Sequence, residues 1–179
     1  MHVLYAGDGP AQGPAKYLLA VLKRLRARVL HVPPNQDLEP QLFGRVPDAI
    51  ILSDYPSSRV PGVAQRAIAR AVEKGSGLLM VGGWASFAAP DGRWRATAVG
   101  KLLPVQMAGK DDRRNFAAGA LLLPEDAHPI LRGLTFNPPP MIGGLNAVKA
   151  AADATVVLAA RPVTGVAGAD VGVVGGQQR

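Results

Sequence analysis

AIILSD at residues 49–54 and GLLMVGGWASF at residues 77–87 are the two stretches that decide the fold of this chain. Each begins with a short, almost wholly apolar run and then turns to glycine, serine or aspartate. Apolar runs without alternation are typical of parallel strands that are buried on both faces of a sheet. Two further runs of this kind lie at residues 2–6 and 28–32. The sequence therefore predicts four parallel strands.

Helical segments separate several of these runs, as βαβ units require. The first is predicted to begin near residues 13–14, and the second to span residues 61–74 and end at Gly75. The stripe that we expect to be buried on the first helix is Leu18, Val21, Leu22 and Leu25. The residues that we expect to pack inward on the second are Val63, Ala67, Ile68, Ala71 and Val72. Right-handed crossovers then give an α/β protein, a flavodoxin-like three-layer sandwich with a mostly parallel central sheet.

The pattern changes after Gly83, where proline, glycine and aromatic residues interrupt the regular winding. Further strands are predicted near residues 103–107, 118–123, 146–150 and 155–159. Residues 162–179 contain five glycines and two charged residues, so no amphipathic closing helix is predicted there. We expect one domain over residues 1–161, followed by an atypical or truncated tail over residues 162–179.

Composition excludes several kinds of chemistry. The sequence contains no cysteine, which removes disulfides, thiolate metal sites and thiol nucleophiles. The three histidines are scattered, so we expect no metal site and no cofactor. No apolar run approaches the roughly 18 residues that cross a bilayer, so we expect a cytoplasmic protein without a membrane partner.

The net charge of +7 raises the question of a nucleic-acid partner. The densest basic group, residues 23–28, falls at the end of a predicted helix, where cations favour the negative end of the helix dipole. No nucleic-acid binding module accompanies the charge. We therefore expect no nucleic-acid partner, while self-association stays open.

Polar residues follow three of the predicted strands, and ligands of open parallel sheets bind beyond the carboxyl ends of strands. Carboxylates there accept hydrogen bonds from hydroxyl groups, and an indole offers a stacking surface. The residues that we predict to bind a ligand are Asp8, Ser53, Asp54, Gly82, Gly83, Trp84, Ser86 and Arg93. The alternative for Asp8 and Asp54 is structural, since aspartates after strands also cap helices or brace turns.

Other motifs carry weaker signals. GDGPAQG at residues 7–13 differs from a dinucleotide fingerprint because its third glycine comes one residue late. Ser86 does not stand in a Gly-x-Ser-x-Gly elbow and lacks an evident base. DGRWR at residues 91–95 either binds an anion or sugar through Arg93 and Trp94, or is a surface loop with a packed tryptophan.

The two opening stretches also resemble glutamine amidotransferase-like proteins related to the trehalose-utilisation ThuA group. The resemblance runs over about residues 3–158. Shorter matching pieces are GRW at 92–94, LLPV at 102–105, HPI at 128–130, GL at 133–134 and GLN at 144–146. It implies a flavodoxin-like sheet whose turn after the fourth strand stands where class I amidotransferases carry their nucleophile. Trp84 lies in that turn, and an indole cannot attack a carbonyl, so cysteine-dependent glutaminase chemistry is excluded.

Three hypotheses about function follow. The leading one is a non-catalytic or non-classical member of this group that binds a small polar ligand such as a sugar or polyol. Its predicted contacts are Asp8, Asp54, Gly83, Trp84 and Arg93. The second is a hydrolase or isomerase that uses Asp54 or Asp8 as general acid or base. The third is a non-catalytic interaction module whose aromatic and proline-rich loops dock a partner or a second copy of the chain.

Overall fold

A computed structural model describes residues 1–9, 13, 15–125 and 127–163 of the chain, together with the backbone of 171–175. The chain divides into two compact units, Met1–Leu103 and Pro104–Arg179. The predicted domain boundary at residue 161 falls inside a strand of the second unit, next to residues outside the described part. That boundary stays a prediction.

The first unit contains a parallel four-stranded sheet with strand order β2-β1-β3-β4. Its strands are β1 His2–Ala6, β2 Arg28–Val32, β3 Ala49–Ser53 and β4 Gly77–Val81. Helix α1 is Ala15–Arg24 and helix α2 is Gly62–Glu73. Short 3-10 helices lie at Pro40–Phe43, Ser57–Arg59 and Gly100–Leu102. The predicted α/β, flavodoxin-like class is confirmed.

The helices cover opposite faces of this sheet. From β1 the chain crosses to β2, and from β3 it crosses to β4, so these two connections run in opposite directions across the sheet. Because both crossovers are right-handed, α1 and α2 lie on opposite sides of the sheet. Leu22 of α1 packs with Val3, Tyr5 and Ile51. The central strands β1 and β3 are therefore buried on both faces, which accounts for their apolar sequences.

The predicted buried stripe of α1 was wrong in two positions. Val21 is 54% exposed and Leu25 is 61% exposed. Ala15 and Leu22 are buried instead, with Leu18 and Leu19 packed at the edge of the core. Residue 21 lies off the face that this row forms, and Leu25 follows the last residue of the helix.

A similar correction applies to α2. Val63 is about half exposed and Val72 is only partly buried, whereas Ala64 is fully buried. The buried row is Ala64, Ala67, Ile68 and Ala71. Its spacing of three and four residues defines the face that packs on the sheet. The helix stops where predicted, because Gly75 takes a φ of +100° that other residues avoid.

The second unit is antiparallel. Its strands are β5 Val105–Gln106, β6 Arg113–Pro124, β7 Met141–Asn146, β8 Lys149–Ala150, β9 Thr155–Pro162 and β10 Val171–Gly175. One sheet has the order β10-β9-β6-β7, and β5 pairs with β8. The single strand predicted over residues 146–150 is divided, because the chain turns where Val148 N donates to Asn146 O.

The predicted atypical tail lies mostly outside the described residues. Residues 164–170 and 176–179 of the tail lie outside the described residues. The described segment Val171–Gly175 pairs antiparallel with β9.

A buried polar pair holds the start of β6 to the end of β7. The Asp112 side chain is 1% exposed, and its Oδ1 accepts a hydrogen bond of 2.8 Å from Asn146 Nδ2. The Asp112 carbonyl also accepts from Ala147 N at 2.6 Å. A buried carboxylate is tolerated only when donors such as the Asn146 side-chain amide satisfy it.

Asp112→Ala should therefore lower the free energy of unfolding by about 1–3 kcal/mol, because it leaves a buried amide donor without its acceptor. Urea denaturation measures this loss. The matched control is Asp111→Ala, since that neighbouring carboxylate is exposed and pairs with Arg113 at the surface. Equal stability of the two variants would contradict this role of Asp112.

Candidate functional site

The strand order locates the most favourable ligand position of the parallel sheet. The order in which strands are added to the sheet reverses between β1 and β3, and open α/β sheets bind ligands beyond the carboxyl ends of strands at such a switch point. Gly7 follows β1 and packs tightly there. A Cβ atom at Gly7 would lie 2.5 Å from the Ser53 carbonyl oxygen. Only glycine allows the two strand ends to come this close.

His31, near the end of β2, contacts the backbone at Gly7. Its Nε2 lies 2.7 Å from the Gly7 carbonyl oxygen, and its ring stacks on Tyr5 with centroids 5.3 Å apart. Because a carbonyl only accepts, Nε2 carries the proton and Nδ1 is the acceptor in the neutral ring. His31 is partly exposed.

Tyr5 completes this junction. Its hydroxyl donates to the Asp8 carbonyl oxygen at 2.9 Å. Burial raises the pKa of Tyr5; a hydrogen bond with the Ser53 side chain opposes the rise, and the Asp8 charge adds to it. The phenol therefore stays neutral and fixes the backbone at Asp8, the first of the predicted site residues.

A cleft of about 460 Å³ opens beyond β2 in the first unit. It combines an apolar side with five polar residues. The lining residues are Leu30, His31, Val32, Gln36, Asp37, Glu39, Leu42 and Arg59. Its volume falls in the range of small-molecule sites.

Contacts beneath the cleft hold its polar loop in place. The Tyr55 hydroxyl donates to the Gln36 carbonyl oxygen, and Leu38 N donates to the Arg59 carbonyl oxygen at 2.7 Å. Burial raises the pKa of Tyr55 to about 12; the Asp37 charge adds to the rise and Arg59 opposes it. Both Tyr55 and Leu38 are fully buried. The cleft wall is therefore anchored to the core.

Two charged side chains meet at the mouth of the cleft. Arg59 Nη1 lies 3.0 Å from Asp37 Oδ1, and both side chains are about half exposed. The Glu39 carboxylate accepts a hydrogen bond from the Gln41 amide. Donors and acceptors thus stand side by side at the rim.

Sequence reasoning missed these residues. The signal that could have found them is the polar run NQDLE at residues 35–39, which follows β2 at the carboxyl edge of the sheet. The predicted site residues follow β1, β3 and β4, and none of them follows β2.

The Asp54 side chain forms a hydrogen bond with the turn after β4. Its backbone has a positive φ of 49°, and its Oδ1 accepts a hydrogen bond from Ala85 N. A Cβ atom at Gly83 would lie under 3.0 Å from the Asp54 carboxyl carbon, so the carboxylate fills the space that a side chain would need. These contacts match the turn-bracing alternative for Asp54.

Ser86 lies in the interior. It is 1% exposed, and its hydroxyl donates to the Val81 carbonyl oxygen at 2.7 Å. Residues 83–90 form turns, so β4 does not lead into a helix as the nucleophile-elbow comparison requires. Trp84, in contrast, is 65% exposed.

The DGRWR loop is a surface loop with a packed tryptophan. Trp94 is fully buried, and its Nε1 donates to the Tyr55 carbonyl oxygen at 2.9 Å. Arg93 is exposed, with Nε donating to the Pro90 carbonyl oxygen at 2.8 Å.

The predicted site residues are therefore only partly brought together. Gly7 contacts Ser53, and Asp54 contacts Gly83 and Ala85, so the ends of β1, β3 and β4 adjoin. Gly82 is exposed beside that turn, whereas Ser86 and Arg93 form their hydrogen bonds with Val81 and Pro90. Ligand binding by these residues stays a prediction.

The described residues contain neither a candidate metal site nor a helix that could span a membrane. They contain no group of three histidine, aspartate or glutamate side chains that could hold a metal ion. In the same part of the chain, every helix is too short or too polar to span a bilayer.

Asp54→Ala should cost about 0.5–2 kcal/mol of folding stability, because the turn after β4 loses the acceptor for Ala85 N. Thermal and urea unfolding measure this loss. Asp91→Ala is the matched control, since Asp91 is exposed in the following turn. Unchanged stability in Asp54→Ala would show that the carboxylate does not brace the turn.

Comparison with known proteins identifies the family. Two solved structures from Salmonella typhimurium, cytoplasmic protein STM3548 and cytoplasmic protein STM1381 of strain LT2, are similar to this chain. Each is 24% identical with a TM-score of 0.76, over 91% of this chain and 81% of the other. A search of curated proteins found no match. The family model described as "Putative glutamine amidotransferase" matches residues 15–176. The chain therefore belongs to this glutamine amidotransferase-like family.

Proposed function

We propose that this chain is a non-catalytic member of its family that binds a small polyhydroxylated molecule, a sugar or polyol, in the cleft beyond β2. The cleft itself carries the proposal: about 460 Å³ of space stands at the carboxyl edge of the sheet, with polar and apolar groups on its walls. Sites for small molecules combine an apolar surface with a few polar groups that fix orientation.

The lining matches the chemistry of a polyol. The carboxylates of Asp37 and Glu39 accept hydrogen bonds from hydroxyl groups, and the Arg59 guanidinium donates to hydroxyl oxygens. Leu30 and Leu42 offer an apolar surface to the C–H face of a sugar ring. Asp8, after the neighbouring strand β1, is a further proposed contact for a longer ligand, whereas Trp84 follows β4 at the opposite edge of the sheet.

Catalysis has less support than binding. The sequence holds no thiol, and the hydroxyl of Ser86 is buried in a hydrogen bond to Val81. The Asp54 carboxylate is engaged with Ala85 N, which weakens its candidacy as a general acid or base. The hydrolase or isomerase hypothesis then depends on Asp8 alone.

A cytoplasmic location is part of this proposal. It is supported by the two Salmonella proteins, which are described as cytoplasmic.

Asp37→Ala should weaken polyol binding by about 1–3 kcal/mol, because a hydroxyl group loses its charged acceptor. Calorimetric titration with trehalose, glucose, sorbitol and inositol measures the affinity. Folding stability should change little, since the Asp37–Arg59 pair is a surface ion pair. Asp91→Ala is the control with an exposed carboxylate elsewhere. The proposal is wrong if the unaltered chain binds none of these compounds, or if Asp37→Ala binds as tightly as Asp91→Ala.

The purified chain should release no ammonia from glutamine above a blank, because it lacks the thiolate that attacks the amide carbon. An ammonia assay coupled to glutamate dehydrogenase tests this. Turnover that co-purifies with the chain through successive columns would overturn it.

A further inference from the structure

The cleft beyond β2 differs in charge from the chain as a whole. The sequence carries 20 lysines and arginines against 13 acids, which gives a net charge of +7. Among the residues that line the cleft, two are acids, Asp37 and Glu39, and one is a base, Arg59. With His31 neutral, two negative charges and one positive charge leave the lining at −1. The cleft is thus an acidic site in a basic chain.

The excess negative charge is that of Glu39. Asp37 and Arg59 neutralise each other, because Arg59 Nη1 lies 3.0 Å from Asp37 Oδ1. The Glu39 carboxylate accepts a hydrogen bond from the Gln41 side chain, and that amide carries no charge. Among the described residues, no lysine or arginine forms an ion pair with Glu39. Its charge is therefore available to a ligand.

Other charges in the first unit do not change this balance. The next basic residue along the chain is Arg45, and it lies toward the amino edge of the sheet. Burial and the Arg45 charge both lower the pKa of His2, the first residue of β1. Residues 10–12 and 14, which fall outside the described ranges, are uncharged. The lining of the cleft keeps its net negative charge.

The hydrogen-bonding groups of the lining favour a ligand that is rich in donors. Carboxylates only accept, and His31 Nδ1 is an acceptor because Nε2 donates to the Gly7 carbonyl oxygen. The guanidinium of the lining, on Arg59, is already paired with Asp37. An ammonium group brings three donors and no acceptor, whereas a hydroxyl brings one donor and also needs donors for its oxygen. An ammonium therefore fits this surplus of acceptors better.

We propose that the cleft selects polyols that carry an amine, such as amino sugars and amino alditols, over neutral polyols and over acidic ones such as sugar acids and sugar phosphates. The ammonium group of the ligand pairs with the Glu39 carboxylate, and its hydroxyl groups bond to Asp37 and Arg59. An anionic group would meet the Glu39 carboxylate with a like charge. This inference rests on the proposed function and names the class of ligand that the cleft binds.

Three compounds that differ at one carbon test this preference. Glucamine, sorbitol and gluconate carry an ammonium, a hydroxyl and a carboxylate there, in that order. Calorimetric titration at about pH 8 and low salt measures the three affinities, since an alkylammonium such as that of lysine stays charged up to about pH 10. Glucamine should bind about two- to fivefold more tightly than sorbitol, as a partly exposed ion pair allows, and gluconate should bind more weakly than sorbitol.

The ratio of the glucamine affinity to the sorbitol affinity reports on Glu39. Glu39→Gln removes the charge and keeps the size of the side chain, so the ratio should fall to about one. Glu73→Gln is the matched control, because Glu73 is exposed at the end of α2 and does not line the cleft, and it should keep the ratio of the unaltered chain. Raising the salt to about 0.5 M should lower the ratio without any substitution, since ions screen an exposed pair.

The outcomes separate this inference from the proposed function. Equal affinities for glucamine and sorbitol would overturn the preference for an amine and leave the binding of polyols intact. A ratio that Glu39→Gln does not change, or tighter binding of gluconate than of sorbitol, would have the same meaning. If neither glucamine nor sorbitol binds, the inference is wrong, while binding of trehalose or glucose would still support the proposed function.

Discussion

The Ser53 carbonyl oxygen occupies the place where a side chain on residue 7 would begin. This close packing joins the ends of β1 and β3, and the hydrogen bond between His31 and the Gly7 carbonyl adds the end of β2. The Asp54 carboxylate extends the row to the turn after β4. The four strand ends form one continuous edge, and at residue 7 only a residue without a Cβ atom fits between β1 and β3. Alanine at residue 7 would force β1 and β3 apart, and the wall of the cleft at His31 would move with them.

The parallel sheet could be predicted from the sequence because its physical signal is local. Residues 49–52 are apolar without alternation, and β3 is buried on both faces as that pattern predicts. Residues 77–81 are equally apolar, but β4 is an edge strand and its Leu79 side chain is about half exposed. The buried faces of the helices were harder to predict from the sequence. Val21 and Val63 are apolar and belong to plausible stripes, yet both are about half exposed. Which of two adjacent apolar rows packs inward depends on how the helix docks, and tertiary packing decides that.

The sequence predicted a site at the carboxyl edge of the sheet, but none of the residues that line the cleft is among the predicted site residues. The carboxyl edge follows from strand order, and Asp8, Ser53 and Asp54 do lie along it. The cleft was hard to predict because its walls come from separate parts of the chain, Leu30 on β2, the loop near Asp37 and Arg59 after β3, of which only the polar run at residues 35–39 gives a signal in the sequence. The chemical type of a residue was also a poor guide to its role. Ser86 and Trp94 look chemically useful in the sequence, but both are buried and hydrogen-bonded to backbone carbonyls.

The proposed function depends on a polyhydroxylated ligand binding in the cleft beyond β2. A crystal structure of the chain soaked with trehalose or sorbitol would show whether it does. We expect density for the ligand between Asp37 and Arg59, with hydroxyl groups within hydrogen-bond distance of both side chains and an apolar face against Leu30 or Leu42. An empty cleft with the ligand bound elsewhere, for example against Trp84 alone, would contradict it.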